Sequence, residues 1–436
     1  MPNSYLATIA AWASAARSYL RNARLTTIVA WGFALRVAVI VLSHTYKIRT
    51  SENNFGFGFE TGRIARSLVL GQGFSNPFHG VTGPTAWEAP LYPFVVAAVF
   101  KIAGIYTRLS AFLLLSLNSF FSALTVVPVY LIARKVFGAR VALWSAWTWA
   151  LLPYAMNWAV RWVWETSLTA LLLTTAFWLT LEIADAEGRR LRNLWLIYGL
   201  LWGVIALTNP SCCVFLPFAG LWACFQLRHR KQPWLAIATA SGILFLTIIT
   251  PWEIRDYRMF HKLMPIRGNG GAELRLGNGP GAQGLCMVEL HPSQHPPQLD
   301  LYREMGEVAY VQMRKQQAVD WMHAHPWQTV TLWMKKIVYY WAGIPNGSNT
   351  WIGVQGKNSV YLAWSVMAWW GLGRMLRQRT RGGFLFAALL LAYPAIYYVI
   401  FPQFRYRHPI EPAMLILAAF LVSEASEFQQ TADRPR

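Results

Sequence analysis

The chain has 436 residues, of which 55% are hydrophobic and only 13% are charged, and its mean hydropathy is +0.31. With repeated apolar runs near the length of a membrane span, this composition excludes a soluble globular protein and predicts an all-α polytopic membrane protein. The net charge of +20 would suggest a nucleic-acid partner for a soluble chain. Here many cations lie in short loops beside apolar runs, where they set topology, so we expect a lipid bilayer and no nucleic acid as partner.

The apolar runs predict about ten membrane helices. The first run is long enough to stay as an anchor and lacks the cleavage site of a removable signal peptide. Arg and Lys cluster in short loops near 17–24, 134–140, 189–192, 228–231 and 374–381, which the positive-inside rule places in the cytoplasm together with both termini. The predicted spans are 25–43, 108–131, 139–157, 163–183, 194–209, 211–227, 234–251, 358–376, 383–401 and 408–424.

Two shorter apolar stretches, Leu91 to Gly104 and Trp327 to Trp341, would break this alternation if they crossed the membrane. We expect both to lie as interfacial helices on the outer face, where the polar segment between Pro251 and Pro326 roofs a site. The predicted regions are a cytoplasmic N-terminal segment (1–24), a transmembrane core (25–250) with a first outer loop (44–107), an extracytoplasmic loop region (251–357), C-terminal transmembrane helices (358–424) and a cytoplasmic tail (425–436).

The first outer loop contains the sequence FGFGFETGRIARSLVLGQGF, which combines a carboxylate with two arginines. A helix from Glu60 through Leu70 would place Arg63 one turn away and Arg66 one turn further, so we expect acid and bases on one side. The glycines of GQG then end the helix. A carboxylate and cations held at a bilayer surface favour chemistry on a lipid-borne phosphate.

Four segments together resemble the lipid-linked-sugar glycosyltransferases of the GT-C superfamily. The resemblance is nearest to the family 39 type, which includes protein O-mannosyltransferases and the aminoarabinose transferase of lipid A. The resemblance implies a GT-C-like helix bundle and transfer of a sugar from a polyprenyl phosphate to a glycan, lipid or protein acceptor on the extracytoplasmic face. The segments are ETGRIARSLVLGQGFS, GPTAWEAPLYP, PWEIRDYRMF leading into PIRGNGG, and FRYRHPIEPAMLILA.

By this resemblance, Glu60 holds the position of the acidic residue that deprotonates the acceptor hydroxyl. The family more often has Asp there, with a tyrosine nearby that this chain lacks. The alternative is a helix cap paired with Arg63. Glu88 matches the acidic residue before the Pro-Leu-Tyr segment, where a lysine usually follows but Ala89 stands here. It could orient the acceptor, hold a divalent ion or be a solvated loop glutamate.

Glu165, at the outer end of a span, is a third candidate, and its simpler role is a salt bridge to Arg161. The leaving phosphate needs fixed cations, which Arg63 and Arg66 in the first loop could supply.

At the last span, Arg405 and Arg407 alternate around Tyr406, with His408 and Glu411 following. Both arginines could instead be interfacial anchors. We nevertheless expect the two arginines to meet Glu60 and Arg63 across one outer cavity and bind phosphate, with His408 as a further substrate-binding residue.

The sequence predicts no certain cofactor. A divalent metal is left as an open alternative, although the histidine pairs lack the further ligands that would complete a zinc site. Arg36, deep in the first span, is expected to face the bundle and bond internally.

The main rival to an enzyme is a lipid or lipid-linked-sugar transporter or flippase, which should place ionisable groups near the midplane. A non-catalytic envelope scaffold is the third possibility.

Overall fold

The structure is a computed structural model that describes residues 24–48, 55–345 and 351–432. Most of the predicted N-terminal segment, including Arg17 and Arg21, and the last four residues of the tail lie outside this description. The described residues form helices joined by loops, without a strand, and a single antiparallel bridge joins Ser75 and Pro84. The predicted all-α class is confirmed.

The first part of the chain, up to the polar outer segment, contains eleven α-helices among its described residues. They are α1 (Leu25–Leu42), α2 (Glu60–Val69), α3 (Leu91–Ala103), α4 (Arg108–Leu124), α5 (Val126–Phe137), α6 (Ala139–Leu151), α7 (Pro153–Arg161), α8 (Thr166–Ile183), α9 (Gly188–Thr208), α10 (Leu216–His229) and α11 (Leu235–Phe260).

The remaining described helices start in the polar outer segment and end with the last span. They are α12 (Gly270–Gly277), α13 (Pro296–Met305), α14 (Glu307–Ala324), α15 (Pro326–Ala342), α16 (Trp351–Arg377), α17 (Gly383–Ala392), α18 (Ala395–Val399), α19 (Phe404–Arg407) and α20 (Glu411–Ala432). Short 3₁₀ helices occur at Phe55–Phe57, Pro210–Phe215, Val288–Leu290 and His408–Ile410.

Seven helical stretches in the described part of the chain are long and apolar enough to cross a membrane. The other three predicted spans are helical as well. Span 358–376 lies within α16, and the other two are interrupted, 139–157 before Pro153 and 383–401 at Tyr393 and Pro394. Proline lacks the N–H that would continue the helix, which explains both breaks. The seven stretches are Leu25–Leu42, Arg108–Phe137, Thr166–Ile183, Gly188–Thr208, Pro210–His229, Leu235–Phe260 and Phe404–Ala425.

The two stretches predicted to be interfacial form α3 and α15. Helix α15 exposes apolar side chains on one face and buries Leu332, Lys336 and Tyr340 on another. The ammonium of Lys336 donates to Asn278 Oδ1 (2.8 Å) and to the carbonyl oxygen of Val399 (3.0 Å). An exposed apolar stripe suits a helix lying on a bilayer, and the interfacial location stays a prediction. The exposed apolar residues are Trp327, Val330, Met334 and Val338.

Loops predicted to be cytoplasmic meet at one end of the bundle in an ionic network. Lys135 contacts Glu182 (2.7 Å) and Asp185 (2.8 Å), and Arg381 contacts Asp185 (2.6 Å). Arg190 joins the same Glu182. The structure therefore brings loops that are far apart in sequence to a common end, as their shared charge predicts.

At the other end, the first outer loop packs on the polar outer segment. Phe78 and Trp87 from the loop form a buried aromatic cluster with Tyr302 and Tyr310. The buried carboxylate of Glu307 accepts hydrogen bonds from the hydroxyls of Thr85 (2.5 Å) and Tyr302 (2.7 Å) and from the amide of Ala86 (2.7 Å).

Arg255 of α11 reinforces this attachment by donating to the carbonyl oxygens of Phe74 (2.9 Å) and Thr85 (2.7 Å). Together with the Glu307 bonds, these contacts fix the loop over the helix bundle.

Arg36 is fully buried in α1, as expected. Its guanidinium donates to Ser122 Oγ (3.2 Å) and to the carbonyl oxygens of Gly32 (2.8 Å), Trp149 (3.0 Å) and Ala150 (2.8 Å). These partners come from α1, α4 and α6, so the arginine ties three helices together. The expectation that Arg36 bonds inside the bundle is confirmed.

Candidate active site

Glu60 is the first residue of α2, and a strained turn fixes where that helix starts. Gly58 and Phe59 both have positive φ, +72° and +37°. A Cβ on Gly58 would lie 2.7 Å from the carbonyl oxygen of Val163, so glycine is required there. The predicted helix is present, and it holds the Glu60 side chain almost fully buried.

The carboxylate of Glu60 is held by residues from the polar outer segment. Ser293 Oγ donates to Glu60 Oε1 at 2.5 Å, and His291 Nε2 lies 3.8 Å from the same oxygen. Arg63, also buried, donates to Ser293 Oγ (3.4 Å) and to the carbonyl oxygen of Pro77 (3.5 Å). The predicted nearness of Glu60 and Arg63 is therefore found, with Ser293 joining them.

Arg66 does not share this side of the helix. Six residues at about 100° per residue place it about 120° around the helix from Glu60. Its side chain is exposed and lines neither compartment of the cavity described below. The expectation that acid and both bases share one side is therefore wrong for Arg66.

The carboxyl of Glu88 lies opposite and is partly enclosed. It accepts a hydrogen bond from Arg267 Nη2 (3.0 Å), whose Nε donates to the carbonyl oxygen of Trp87 (2.8 Å). Burial raises the pKa of Glu88 to about 8; Arg267 opposes this rise, while Glu165 and Glu60 add to it. Glu88 is therefore largely protonated at neutral pH.

A cavity with two adjoining compartments lies between these groups. The first compartment, of about 230 Å³, is lined by Glu60, Trp87, Trp164 and His291 among others. The second, of about 240 Å³, has Glu165 in its wall. The two compartments share Glu88, Arg267, Glu273, Arg405 and Tyr406. This cavity brings four carboxyl groups and two arginines together.

Arg405, like Arg267, lines both compartments. Its guanidinium carbon lies 3.4 Å from the centre of the Trp164 ring, and its nitrogens donate to Gln403 Oε1 (2.9 Å) and to the Tyr406 hydroxyl (3.3 Å). The ring and the two acceptors fix the plane of the guanidinium, which is a suitable arrangement for binding an oxyanion.

Arg407 does not reach this cavity. It is fully buried and donates to Glu411 Oε1 (3.2 Å), Ser365 Oγ (2.7 Å) and the hydroxyl of Tyr154 (2.9 Å). His408 is also fully buried, with Nδ1 2.7 Å from Glu411 Oε2. The prediction that Arg407 and His408 bind substrate is corrected, because both side chains hold helices together.

Glu165 precedes the first residue of α8 and lines the second compartment. Among the described residues it forms no salt bridge with Arg161, whose side chain is exposed. The simpler role considered for Glu165 is thus not observed, and its carboxylate remains part of the cavity wall.

Sequence reasoning missed four polar residues that contribute to the site. Arg267 stands in the quoted PIRGNGG segment, which was a usable signal. Glu273, His291 and Ser293 carry no comparable pattern. All four belong to the polar outer segment, so its predicted role as a roof agrees with the geometry.

No group of three or more His, Cys, Asp or Glu side chains suited to a metal ion occurs within residues 24–48, 55–345 and 351–432.

Comparison with known proteins addresses the family and the fold. A family model described as dolichyl-phosphate-mannose-protein mannosyltransferase matches residues 87–254, a range that includes Glu88 and Glu165. In overall structure the chain is similar to the oligosaccharyltransferase AglB from Archaeoglobus fulgidus. The two proteins therefore share a similar overall fold.

Two AglB structures illustrate the similarity. One, in complex with an inhibitory peptide and a dolichol-phosphate, has a TM-score of 0.55 at 14% identity and covers 94% of this chain and 52% of AglB. The apo form has a TM-score of 0.58 at 13% identity and covers 95% and 52%. The chain thus spans about half the length of these AglB structures. Another AglB structure contains Zn and sulfate.

ArnT from Cupriavidus metallidurans bound to undecaprenyl phosphate also matches, with a TM-score of 0.43 at 13% identity, covering 95% of this chain and 82% of ArnT. A search of the curated proteins finds no match. The family model describes a glycosyltransferase, which agrees with the enzyme class predicted from the sequence.

Proposed function

We propose that the chain transfers a sugar from a polyprenyl-phosphate donor to an acceptor hydroxyl in the two-compartment cavity. The observation that carries the proposal is that Glu60 from the first loop and Arg405 from the far end of the chain line one compartment. A base and a phosphate-binding cation in one enclosed space are the two groups that such a transfer needs. The family model over residues 87–254 supports the same reaction class.

In this reaction Glu60 accepts the proton of the acceptor hydroxyl while the hydroxyl oxygen forms a bond to the anomeric carbon. The bond between that carbon and the donor phosphate oxygen breaks, and its electron pair leaves with the phosphate. Arg405, whose guanidinium lies over the Trp164 ring, neutralises the charge that develops on the phosphate. Arg267, paired with Glu88, provides a second cation in the same wall.

The donor class follows from the location of the cavity. It lies at the end of the bundle opposite the ionic network of Lys135, Asp185 and Arg381. With that network in the cytoplasm, both termini are cytoplasmic and the cavity is on the extracytoplasmic face of a bacterial inner membrane. A phosphate donor there is carried by a lipid, and AglB has been solved with dolichol-phosphate. The acceptor is a glycan, a lipid or a protein.

A transporter is less well supported, because the buried arginines of the spans have protein partners. Arg36 and Arg407 each donate to groups on neighbouring helices. A transport site would instead present such groups to a substrate near the midplane.

The test compares cells that lack the protein with cells that express wild type or Glu60→Gln. Mass spectrometry of lipids and glycans identifies the sugar modification that depends on the protein. Glu60→Gln should abolish its formation, with a rate loss of about 10²–10⁴-fold, because an amide cannot accept the proton. Protein level and binding of undecaprenyl phosphate, used as a probe, should remain.

Glu304→Gln is the matched control, because Glu304 is exposed on α13 and lines neither compartment. Normal product formation by Glu60→Gln would remove Glu60 from the mechanism. Absence of any protein-dependent modification would contradict the proposed function itself.

A further inference from the structure

Ser293 is buried between two charged side chains of the first loop. Its hydroxyl accepts a hydrogen bond from Arg63 Nη1 (3.4 Å) and donates one to Glu60 Oε1 (2.5 Å). Arginine has donors only, and a serine hydroxyl has one proton. The bond from Arg63 therefore favours the orientation in which the Ser293 proton is given to Glu60.

The turn that carries Ser293 is itself fixed. The amides of Gln294 (3.0 Å) and His295 (3.1 Å) donate to the carbonyl oxygen of His291. The sequence HPSQHPP surrounds Ser293 with prolines, which restrict the backbone. The His291 ring stands edge-on to the rings of Phe78 and Trp87, with centroids 5.9 Å away in each case. These rings attach the turn to the first loop.

The same turn sets the tautomer of His291. The backbone N–H of Ser293 donates to His291 Nδ1 (3.1 Å), so the neutral ring carries its proton on Nε2. Nε2 is the atom that faces Glu60 Oε1 at 3.8 Å. His291 thus presents an N–H to the carboxylate and is not arranged to take a proton from it.

We propose that Ser293 is a positioning residue for the transfer reaction, one that holds Glu60 Oε1 and reserves Oε2 for the acceptor hydroxyl. Among the described residues Oε2 has no hydrogen-bond partner, whereas Oε1 has Ser293 and the nearby His291. The inference rests on the proposed function, because it assigns a role relative to Glu60 as the base. It adds that the turn carrying Ser293, which the proposed function places on the extracytoplasmic side, holds the Glu60 carboxylate in position.

A fixed carboxylate matters because proton transfer requires the accepting oxygen to lie within hydrogen-bond reach of the acceptor hydroxyl. Without Ser293, the Glu60 side chain can rotate, and Arg63 loses the group through which it contacts the carboxylate. Hydrogen bonds to charged groups are among the stronger ones in proteins. The loss should appear in the rate of transfer and leave donor binding unchanged.

The experiment uses the full-length protein and the protein-dependent modification measured by mass spectrometry after induction. Ser293→Ala should slow product formation about 10- to 100-fold, the range expected for one hydrogen bond to a charged group. Ser293→Thr keeps the hydroxyl and should recover most of the rate. Thr331→Ala removes an exposed hydroxyl of α15 that bonds Trp327 and should have no effect.

Two further measurements separate positioning from a merely structural role. Binding of undecaprenyl phosphate to protein in nanodiscs should be unchanged in Ser293→Ala. In the Glu60→Gln background, Ser293→Ala should cause no additional loss of rate, because both substitutions act through one carboxylate.

A wild-type rate in Ser293→Ala, with Glu60→Gln inactive, would overturn this inference and leave the proposed function intact. Undecaprenyl-phosphate binding that weakens in parallel with the rate, or failure of Ser293→Thr to recover, would also overturn it. An active Glu60→Gln variant would overturn the assignment of the base, and the role of Ser293 with it.

Discussion

At the residue scale, the Glu88 carboxyl combines limited exposure with a crowded electrostatic environment. Its side chain is 17% exposed, and burial, Glu165 and Glu60 raise its pKa to about 8 against the opposing effect of Arg267. A carboxyl whose pKa is raised holds its proton below that pH. At pH 7 Glu88 can therefore donate a hydrogen bond, as an amide can.

We predict that the rate of transfer falls as the pH rises through about 8, where Glu88 ionises and adds negative charge beside the donor phosphate. Glu88→Gln keeps the neutral form at every pH. It should retain at least about half of the rate at pH 7 and lose the alkaline decline. The rate of transfer by wild type and by Glu88→Gln, measured between pH 6 and pH 9, tests this prediction. An unchanged alkaline decline in Glu88→Gln would assign that ionisation to another group.

At the element scale, the short helix α19 sends its two arginines in different directions. Residues two apart on a helix are about 200° apart around its axis. Arg405 accordingly lies against Trp164 in the cavity, whereas Arg407 is buried beside Tyr361 and Glu411. Alternation around Tyr406, which looked like a pair of phosphate ligands in the sequence, is the reason that only one arginine reaches the cavity.

We therefore predict that substitution of Arg405 weakens lipid binding, whereas substitution of Arg407 lowers the stability of the protein. Arg405→Gln should weaken undecaprenyl-phosphate binding about tenfold or more with a normal melting temperature, and Arg405→Lys should be intermediate because lysine lacks the planar fork. Arg407→Gln should destabilise the protein by about 3–5 kcal/mol, because it leaves buried Glu411 without its cation. Undecaprenyl-phosphate binding tests the first prediction, and thermal unfolding in detergent tests the second. Weakened lipid binding by a stable Arg407→Gln protein would restore Arg407 to the site.

Helix α15 shows what an apolar pattern can and cannot predict. Its length and its lysines predicted a helix that does not cross the membrane, and the exposed apolar stripe agrees. The pattern could not tell that Lys335 is exposed while Lys336 is buried against Val399. That difference depends on a neighbouring helix end, where the carbonyl oxygen of Val399 accepts hydrogen bonds from both Lys336 and Asn278.

At the scale of the whole molecule, the ionic network and the cavity lie at opposite ends of the bundle. The network joins Lys135, Glu182, Asp185 and Arg381 from three loops. The positive-inside rule predicts that such loops are cytoplasmic, an orientation in which the cavity would face outward.

We predict that a cysteine at Arg66 is labelled by an impermeant maleimide in intact cells, and that a cysteine at Arg379 is labelled only after permeabilisation. Arg66 is exposed on α2 near the cavity, and Arg379 lies in the loop after α16 at the opposite end. The wild-type protein measures the background from its own four cysteines. Labelling of Arg379→Cys in intact cells would show that the topology is the reverse of the one proposed.

The sequence was sufficient to predict the helical class, the helix that begins at Glu60 and seven of the ten predicted spans, which correspond to helical stretches long and apolar enough to cross a membrane. Hydrophobic length and local helix signals act over neighbouring residues, so a single sequence carries them. It was insufficient for the choice between Arg405 and Arg407 and for the partners of Glu60. Those depend on which helix faces meet, and Ser293 is 233 positions from Glu60 along the chain.

That separation has a consequence for the biosynthesis of the protein. A ribosome delivers the chain to the membrane from its N-terminus, so Glu60 emerges long before Ser293, and Arg405 is among the last residues to emerge. On the proposed function, a partly inserted chain therefore lacks the turn that would orient Glu60 and the arginine that would neutralise the phosphate. Transfer would then begin only once the final helix is in place, and unfinished chains would not consume the lipid-linked donor.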